Sequence, residues 1–599
     1  MYFMMIRINE HLTHHAGSCS TYTVTQDGAA LTIDCGALAP AAIDEATGAQ
    51  QERLLLTHFH RDQCNAAAQW VDAGVDVVIP FSEKRFFEEA DILRASYDTY
   101  DNYTAWYPGF SSLQDITGTH AIDYDKILWR GVELEVVPLP GHTFGQSGYL
   151  FELDGKRYLA CGDLMSAPGK IHEYHRVQWA YMSFQGHVNL LESLQTVRDL
   201  APDMILPGHG EPFPYTHAAI DCLIDALAEL FELFHGRPYQ PYHAAFRQLS
   251  EHVFEVTNSS ANTYIVRDDE GHGLFIDCGY TSGAPISANP HRFIDHLLPR
   301  LEAETGITDV EWFLPSHYHD DHLAGLPTLQ VKYGTRLACS PELQDLLEHP
   351  ERYDMPCTVP HATTVDHVIR RDDLFAWRGF EFRMEQFPGQ TWYHHLISFE
   401  ADGRRYLSIG DNISGISFRE HRDFVHSFIP KNRTPVSSYA DMPRQIVERR
   451  PDMLLTGHGG AVDCDADQIA GWQQWMDRWT ELFEGIIDRP HANYGMDPQW
   501  VEFYPYKTRV HPGDELQYEV RVRNHDTEQK SGTLLLHASA GVRLSTERID
   551  ISVEAGETMA FTVTAIFPES RQSHSWTVVA DVTWDGVAHG EIAEAIAWW

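Results

Sequence analysis

The sequence predicts an α/β chain of two similar units, each about 240 residues long, followed by a smaller all-β sandwich. Two observations support this prediction: a long internal repeat, and a change to alternating polar and apolar residues after residue 498. A period this long indicates duplication of a whole domain, because solenoid repeats span only ~20–50 residues. We therefore place the domains at residues 1–240, 241–498 and 499–599.

Five segments recur in the same order in the two units. The first segment has two apolar runs around a polar turn, which is a hairpin pattern, and it ends in Ile-Asp-Cys-Gly in both units. The matching pairs are TYTVTQDGAALTIDCG (21–36) with TYIVRDDEGHGLFIDCG (263–279), THFHRDQ (57–63) with SHYHDDH (316–322), LPGHT (139–143) with FPGQT (387–391), RYLACGDLM (157–165) with RYLSIGDNI (405–413), and PDMILPGHG (202–210) with PDMLLTGHG (451–459). Agreement in both order and content predicts one shared fold.

Residues 499–599 show the period of two that half-buried strands have. Apolar and polar residues alternate from Leu516 to Arg523, and again from Trp576 to Trp584. Several such strands with turns between them predict an immunoglobulin-like β-sandwich. The sequence of this region holds no catalytic pattern, so we interpret it as a packing or dimerisation module.

The chain is strongly acidic, with 44 basic and 86 acidic residues among 599 and a formal net charge of −42. Such a surface repels phosphate backbones, so we expect no nucleic-acid partner. The acidic residues are spread along the chain and do not form a tail, which favours solubility as their role. We expect a small-molecule substrate, and we leave open whether the chain forms a homo-oligomer.

The cysteines and the first residues predict a cytoplasmic protein. Nine cysteines are scattered along the chain without a CxxC pair, which argues against a disulfide framework and against a zinc ribbon. Residues 1–19 lack the basic and apolar regions of a signal peptide. No apolar run approaches the ~18–20 residues that span a membrane, so we expect no membrane association.

Histidine and acidic residues are concentrated in the recurring segments, and divalent cations need nitrogen and oxygen ligands of this kind. A His-x-His motif places two imidazoles on one loop, an Asp two residues later can reach a second ion, and other loops supply further His and Asp residues. Two ions ~3.5–4 Å apart can hold a hydroxide between them and polarise a carbonyl oxygen.

The ordered series HxHxD, GHT, GD and GHG, after a hairpin that ends in IDCG, resembles the metallo-β-lactamase superfamily. The resemblance covers about residues 10–490, twice over, and leaves only the C-terminal region unmatched. It implies that each unit is an αββα sandwich with the metal site along one sheet edge. The two units are called copy 1 and copy 2 below.

In copy 1, the resemblance implies a first ion on the two histidines of His-x-His, His142 and Asp163, and a second ion on Asp62, Asp163 and His209. Gln63 occupies the position of a further histidine of the family, and Gln is a poor zinc ligand. We therefore expect the second ion of copy 1 to bind weakly or not at all. The matching residues are His58, His60, Asp62, His142, Asp163 and His209.

In copy 2, the loss is complementary, because Gln390 replaces the histidine of GHT while the second ligand set is complete. His394 and His395 follow Gln390 closely, and either one is a candidate replacement ligand. The matching residues are His317, His319, Asp321, His322, Asp411 and His458.

Two further groups of residues are expected near the sites. Asp34 and Asp277 match the family's acidic residue at a strand end, and the resemblance implies that they orient ligands without binding the ion. The aromatic residues between 97 and 129, with Trp179 and Tyr181, form either a wall over the copy 1 site or a partly buried insert.

The resemblance implies a metal-dependent hydrolase that uses a metal-bound hydroxide, with Asp62 and Asp321 in the catalytic role of orienting it. Zn²⁺ is the expected ion, two per intact site or one. Fold does not select a substrate, and we favour a small ester, thioester or lactone. Two alternatives stay open: oxidation of a sulfur compound at a single iron on His58, His142 and Asp163, or a non-catalytic binding role for one or both copies.

Overall fold

The computed structural model shows an α/β chain with an all-β C-terminal part, which confirms the predicted fold class. Its contacts divide the chain into two compact units: residues 1–243 with 281–296 and 327–334, and residues 244–280 with 297–326 and 335–599. The domain boundaries at 240 and 498 remain predictions. The residues described are 4–17, 19–96, 110–177, 185–280, 292–419, 424, 428–570 and 575–598.

Copy 1 contains two sheets. The strands of the first, sheet 1a, are β1 (Met4–Arg7), β2 (Leu12–Ala16), β3 (Ser20–Gln26), β4 (Ala29–Ile33), β5 (Gln50–Leu55), β6 (Asp76–Pro80) and β7 (Thr119–Ala121). The strands of the second, sheet 1b, are β8 (Lys126–Trp129), β9 (Val132–Pro138), β10 (Ser147–Leu153), β11 (Lys156–Gly162), β12 (Met204–Pro207) and β13 (Phe213–Pro214). In sheet 1a the strands lie in chain order, and those from β4 to β7 are parallel.

Helices cover the outer faces of both sheets of copy 1. Tyr22 and Leu134 belong to the apolar core between the sheets. Trp70 packs on the outer face of sheet 1a, and Leu191 on that of sheet 1b, so the layers are αββα. The helices are α1 (Pro40–Thr47), α2 (Arg61–Cys64), α3 (Ala67–Asp72), α4 (Lys84–Glu88), α5 (Ala90–Ser96), α6 (Gln185–Leu200) and α7 (His217–His235).

Copy 2 repeats this arrangement of two sheets. Sheet 2a contains β14 (Ala245–Gln248), β15 (Val253–Thr257), β16 (Thr263–Arg267), β17 (His272–Ile276), β18 (Asp309–Leu314), β19 (Arg336–Cys339) and β20 (His367–Val368). Sheet 2b contains β21 (Phe375–Trp377), β22 (Phe380–Gln386), β23 (His395–Ala401), β24 (Arg404–Gly410), β25 (Met453–Thr456) and β26 (Val462–Asp463).

Copy 2 contains eight α-helices among its described residues. They are α8 (Phe293–Thr305), α9 (Asp320–Leu323), α10 (Leu326–Tyr333), α11 (Pro341–Glu348), α12 (Gly415–Arg419), α13 (Val436–Arg449), α14 (Ala466–Ile486) and α15 (Asn493–Met496). Helices α13 and α14 pack on sheet 2b around the fully buried Trp472. The side chain of Asp465 caps α14 by accepting from the backbone N–H groups of Asp467 and Gln468.

The C-terminal region is a sandwich of two sheets with alternating buried and exposed side chains. Trp576 and Trp584 of β34 lie fully inside its core. Its strands are β27 (Val501–Tyr504), β28 (Lys507–Arg509), β29 (Glu515–Arg523), β30 (Lys530–Ala538), β31 (Arg543–Leu544), β32 (Arg548–Val553), β33 (Thr558–Ile566), β34 (Ser575–Trp584) and β35 (Val587–Trp598). One sheet has the order β27-β29-β33-β31, and the other β28-β35-β34-β30-β32. Among the described residues, no helix is both long and apolar enough to cross a membrane.

Candidate metal centres

The predicted ligands follow the carboxyl ends of strands at one edge of each copy. In copy 1, the His-x-His motif follows β5, Asp163 follows β11 and His209 follows β12. Strands β4, β5 and β6 are parallel, as are β11 and β12, so their carboxyl ends meet at a common edge. The topology therefore gathers side chains that lie far apart in the sequence.

Three imidazoles of copy 1 form a buried cluster. Ring nitrogens of His58, His60 and His142 all lie within 4.8 Å of one another. Asp163 lies beside them, with its Oδ2 atom 3.3 Å from Nε2 of His142 and 3.8 Å from Nε2 of His58. The structure thus brings together all four residues that the sequence assigned to the first ion of copy 1.

The histidines of this cluster are uncharged near neutral pH. Burial lowers the pKa of His58 to about 3 and lowers the pKa of His60 and His142 as well. For Asp163, burial opposes ionisation, but His142 and the other nearby imidazoles outweigh it and hold the pKa well below its ordinary value. Neutral imidazoles beside a carboxylate are suitable cation ligands.

Asp34 contacts this cluster through Thr57. Its carboxylate accepts from the Thr57 N–H at 2.8 Å and from the Thr57 hydroxyl at 2.9 Å. That hydroxyl lies 3.1 Å from Nδ1 of His58, which leaves Nε2 of His58 facing the cluster. Burial raises the pKa of Asp34 to about 8, and the bonds from Thr57 oppose that rise.

The other half of the copy 1 site has a different composition. His209 lies against Asp163, with 2.9 Å between Nδ1 and Oδ1, and Gln63 Nε2 lies 3.4 Å from the same His209 nitrogen. Asp62 forms an ion pair with the guanidinium of Arg176, and Nε2 of His209 is 3.7 Å from its carboxylate. A protein cation therefore holds the carboxylate that the sequence assigned to a second ion.

Arg176 was missed by sequence reasoning, because it lies 114 residues from Asp62 and belongs to no motif. Its guanidinium also lies over the ring of Phe110, 4.7 Å from the centroid. A cavity of about 260 Å³ opens here, and its described lining is Ala37, Arg61, Asp62, Asn65, Phe110 and Arg176.

Copy 2 gathers a different ligand set. Side-chain atoms of Asp321, His322, Asp411 and His458 all lie within 4.8 Å of one another. Asp411 is central, because its two oxygens lie 3.1 Å from Nε2 of His322 and 3.1 Å from Nε2 of His458. The Asp321 carboxylate is 3.5 Å from the His458 nitrogen. All four residues that match the family's second set come together here.

The first set of copy 2 is only partly present. His317, His319 and Asp411 form a second group of three within 4.8 Å. Gln390 lies where copy 1 has His142, and its Nε2 donates to Asp411 at 2.9 Å. The side-chain amide of Gln390 therefore occupies the position of the missing imidazole ligand.

The prediction that His394 or His395 replaces the missing ligand does not fit this geometry. His394 corresponds in sequence to Gln146 of copy 1, and its Nε2 accepts from the Asp411 backbone N–H at 3.0 Å. That nitrogen supports the Asp411 turn and is not free for an ion. His395 starts β23, and its Nε2 is 3.5 Å from the Glu342 carboxylate.

Asp277 contacts a predicted ligand directly. Its carboxylate accepts from the N–H and the hydroxyl of Ser316, both at 2.7 Å, as Asp34 does with Thr57. It also lies 3.0 Å from Nδ1 of His322, a contact that Gln63 does not reproduce in copy 1. Burial lowers the pKa of His322, but Asp411, Asp321 and Asp277 outweigh it and raise that pKa well above its ordinary value.

Unpartnered atoms show that both centres fit a divalent cation. Nε2 of His58 in copy 1 and Nε2 of His317 in copy 2 are buried without a hydrogen-bond partner. A buried polar atom in this condition destabilises a fold, so such atoms pointing into a ligand cluster are what a metal centre requires. His60 and His142 would complete the set of copy 1, while in copy 2 His319 and Asp411 lie with His317, and Asp321, His322 and His458 form the other set around Asp411.

The glycine of each GHG motif allows a close approach that sequence reasoning did not explain. A Cβ atom on Gly208 would lie 2.4 Å from Oδ1 of Asp163, and one on Gly457 would lie 2.0 Å from Oδ1 of Asp411. Both distances are shorter than any van der Waals contact, so only glycine fits behind the central carboxylate of each centre.

Glu83 is a second residue of copy 1 that sequence reasoning missed. Its buried carboxylate accepts from the Phe59 N–H at 2.9 Å and from the Gly145 N–H at 3.0 Å. Phe59 lies between the histidines of the His-x-His motif, and Gly145 follows the GHT motif. One side chain therefore connects both ligand loops, and burial raises its pKa to about 7.

The predicted aromatic wall is wrong for Trp129, which lies in the core between the sheets of copy 1 and donates to Glu52 at 3.0 Å. Its other members lie outside the described residues. They are Tyr97, Tyr100, Tyr103, Trp106, Tyr107, Trp179 and Tyr181.

Comparison with protein families gives the same division of the chain. The model of the metallo-beta-lactamase superfamily matches residues 15–209 and again residues 256–458. The chain belongs to this superfamily. The two matched regions contain every predicted ligand of the two copies, from His58 to His209 and from His317 to His458.

Individual relatives are distant. A hydroxyacylglutathione hydrolase of Aeromonas salmonicida is 26% identical over 153 residues, which is 25% of this chain and about half (47%) of that protein. A motif mutant of a metallo-beta-lactamase from Cronobacter sakazakii is 18% identical, with a TM-score of 0.30 over 39% of this chain and 97% of its own. A metallo-beta-lactamase from Pontibacter korlensis is 17% identical, with a TM-score of 0.30 over 39% of this chain and 99% of its own.

Proposed function

We propose that this member of the metallo-beta-lactamase superfamily is a metal-dependent hydrolase with two unlike centres, acting on a small ester, thioester or lactone. The observation that carries the proposal is the convergence of imidazoles and carboxylates in two clusters, one in each copy, around Asp163 and Asp411. A buried cluster of this composition would be unstable without a cation to share.

The ion content of the two copies is part of the proposal. Copy 1 would hold one ion on His58, His60 and His142 with Asp163, because Arg176 already neutralises Asp62. Copy 2 would hold its ion on the set around Asp411. Imidazole and carboxylate ligands in these numbers favour Zn²⁺.

The bound ion would act as a Lewis acid that lowers the pKa of water and polarises the substrate carbonyl. Asp321, whose side chain is 21% exposed and lies 3.5 Å from Nε2 of His458, would orient the attacking water and accept its proton. In copy 1, Arg176 holds Asp62 and lines the cavity with Arg61, so the two guanidinium groups would orient an anionic part of the substrate.

A thioester is the favoured member of the substrate class. The support is the similarity to the hydroxyacylglutathione hydrolase of Aeromonas salmonicida, an enzyme named for a thioester substrate, of which this chain matches about half. The cavity of about 260 Å³ suits a compact acyl group. From composition, we also propose that the substrate is a small molecule and that the protein has no nucleic-acid or membrane partner. The proposed location is the cytoplasm, and the proposal includes both a monomer and a homo-oligomer.

Oxidation of a sulfur compound at a single iron is the second candidate. The observation in its favour is that Asp163 lies near both His58 and His142 in copy 1, at 3.8 and 3.3 Å. Two histidines and one carboxylate are the ligand set of many non-haem iron sites. Iron in copy 1 together with oxygen consumption would favour this candidate.

Metal analysis of copy-specific variants tests the proposal. We expect the unchanged chain to purify with zinc, and His142→Ala and His322→Ala each to lose the metal of one copy. Hydrolysis of a hydroxyacylglutathione thioester, p-nitrophenyl acetate and a γ-lactone would be measured in parallel, and the double variant should be inactive. Full activity in the double variant, or no stoichiometric metal in the unchanged chain, would overturn the proposal.

A further inference from the structure

We infer that the C-terminal β-sandwich is a positioning domain for the copy 2 centre, and that Arg433 transmits its effect. The inference rests on the proposal that copy 2 holds a metal ion. It assigns a role to a region whose sequence carries no catalytic pattern.

The connection begins at Asn432, which lies against both ligand loops of copy 2. The Tyr318 hydroxyl donates to Oδ1 of Asn432 at 3.0 Å, and Tyr318 lies between the histidines of the His-x-His motif. The Trp392 N–H donates to the Asn432 carbonyl at 3.0 Å, and Trp392 lies two residues after Gln390. Asn432 is fully buried, so a shift of this residue would move both loops.

Arg433 anchors this segment to the C-terminal region. Its guanidinium donates to Glu502 at 2.8 Å, to Asp497 at 3.3 Å and to the Gln499 carbonyl at 2.9 Å. Glu502 belongs to β27 of the sandwich, and the other two partners lie just before that strand. The Arg433 side chain is only 10% exposed, so the ion pairs are shielded from solvent.

The geometry of Arg433 suits a positioning role. Its backbone is left-handed, with φ of 62°, a conformation that a non-glycine residue adopts only when its surroundings stabilise it. The planar guanidinium forms three bonds in fixed directions, which a lysine ammonium would not reproduce. A second contact reinforces the first, because the Arg523 guanidinium of β29 lies 4.4 Å over the Trp392 ring.

Copy 1 holds its His-x-His loop from within its own fold. Glu83 binds the Phe59 N–H there, and Phe59 has no hydroxyl group that could bind as Tyr318 does. The loop between the two ligand histidines is therefore held by different groups in the two copies, by Glu83 in copy 1 and by Asn432 with Tyr318 in copy 2.

The test measures Co²⁺ binding by copy 2, in a background where His142→Ala silences copy 1. We expect Arg433→Lys to weaken Co²⁺ binding by ~10–100-fold, the range seen when groups that orient ligands are removed. The Co²⁺ absorption spectrum should change as well, because the ligand loops lose their fixed geometry. Glu502→Gln and Tyr318→Phe should act in the same direction, and they keep the readout available if Arg433→Lys folds poorly.

Arg405→Lys is the matched control. Two guanidinium nitrogens of Arg405 also donate to one carboxylate, that of Asp452, but this pair lies on the exposed surface of sheet 2b. The Arg405→Lys variant should leave both the affinity and the spectrum unchanged. If the three test variants lose thermal stability but keep the parent's affinity and spectrum, the sandwich only stabilises the fold and the inference is wrong. If the His142→Ala parent itself binds no Co²⁺, the proposed function of copy 2 fails first and the inference falls with it.

Discussion

The two copies share one scaffold but retain opposite halves of a two-ion site. Copy 1 has three imidazoles and places Arg176 on the carboxylate of the other half, whereas copy 2 has an Asp and His set around Asp411 and places Gln390 in the first half. The supporting contacts of Asp34 and Asp277 are nevertheless alike in both. The difference teaches that ligands diverge more readily than the backbone and the groups that shape it, because losing a supporting group disturbs the whole edge of the sheets.

The central carboxylate should matter more in copy 2, and this is the largest expected effect. Asp411→Ala removes the carboxylate that lies 3.1 Å from both His322 and His458, closer than Asp321 lies to either, so copy 2 should lose metal affinity by ~100-fold or more, beyond the range for supporting groups. Asp163→Ala leaves the three imidazoles of copy 1 and should therefore cost less metal affinity than Asp411→Ala costs in copy 2. Metal titration in single-copy backgrounds would measure both.

Asp411→Asn and Asp163→Asn are the isosteric controls for that pair. They keep side-chain volume and remove only the charge, so they should follow the same order with smaller losses. Equal losses at Asp163 and Asp411 would contradict the contrast between the two ligand sets.

Restoring a second ion should need two changes in copy 1. Gln63→His supplies the missing imidazole, but Arg176 still neutralises Asp62, so the single variant should keep one ion in copy 1. Adding Arg176→Ala frees the carboxylate, and the metal content of copy 1 should rise from one ion to two. Elemental analysis with copy 2 silenced by His322→Ala would measure the change.

Gln390→His offers the matching test in copy 2, where a single change should add an ion. The described residues place no guanidinium on Asp321, so only the missing imidazole needs to be replaced.

The outcome that would contradict the copy 1 prediction is a second ion bound by the Gln63→His variant alone. It would show that Arg176 does not prevent the second ion from binding.

The smallest effect concerns a contact that both copies share. Glu311 of copy 2 accepts from Arg378 and from the Trp377 indole, and Arg378 holds its pKa at about 2; Glu52 of copy 1 is held in the same way by Arg130. Glu311→Gln should lower the free energy of unfolding at pH 7 by ~0.5–1 kcal/mol. Glu52→Gln should cost less, since the Glu52 side chain is 41% exposed against 22% for Glu311.

The pH dependence of this effect follows from the lowered pKa. The stabilisation by Glu311 is fully present above the ordinary glutamate pKa of 4.5 and is lost as pH falls from there towards 2. Urea unfolding at pH 7 and pH 3.5 should therefore show a smaller difference between Glu311→Gln and the unchanged chain at the lower pH. A constant difference, or a larger cost for Glu52→Gln, would contradict this.

Sequence patterns predicted which side chains come together in most of each cluster, because motifs with a fixed spacing report which side chains share a loop. His58 with His60, and Asp321 with His322, could be paired in this way, and the order of the motifs then pointed to the partners on other loops. His394 was misjudged, because closeness in the sequence to Gln390 does not show that its nitrogen accepts from the Asp411 backbone. Arg176 and Glu83 were missed because no local pattern marks a charge that acts across the fold.

The sequence by itself determined the duplicated domain, the alternating strands of the C-terminal region and the identity of the side chains that can bind a cation. These follow from local properties: hydrophobic period, turn residues and the spacing of ligands along one loop. Only the tertiary structure decided which carboxylate is held by an arginine and which imidazole nitrogen stays free. Those outcomes depend on distances between loops that are far apart in the chain, and packing of the whole domain sets such distances.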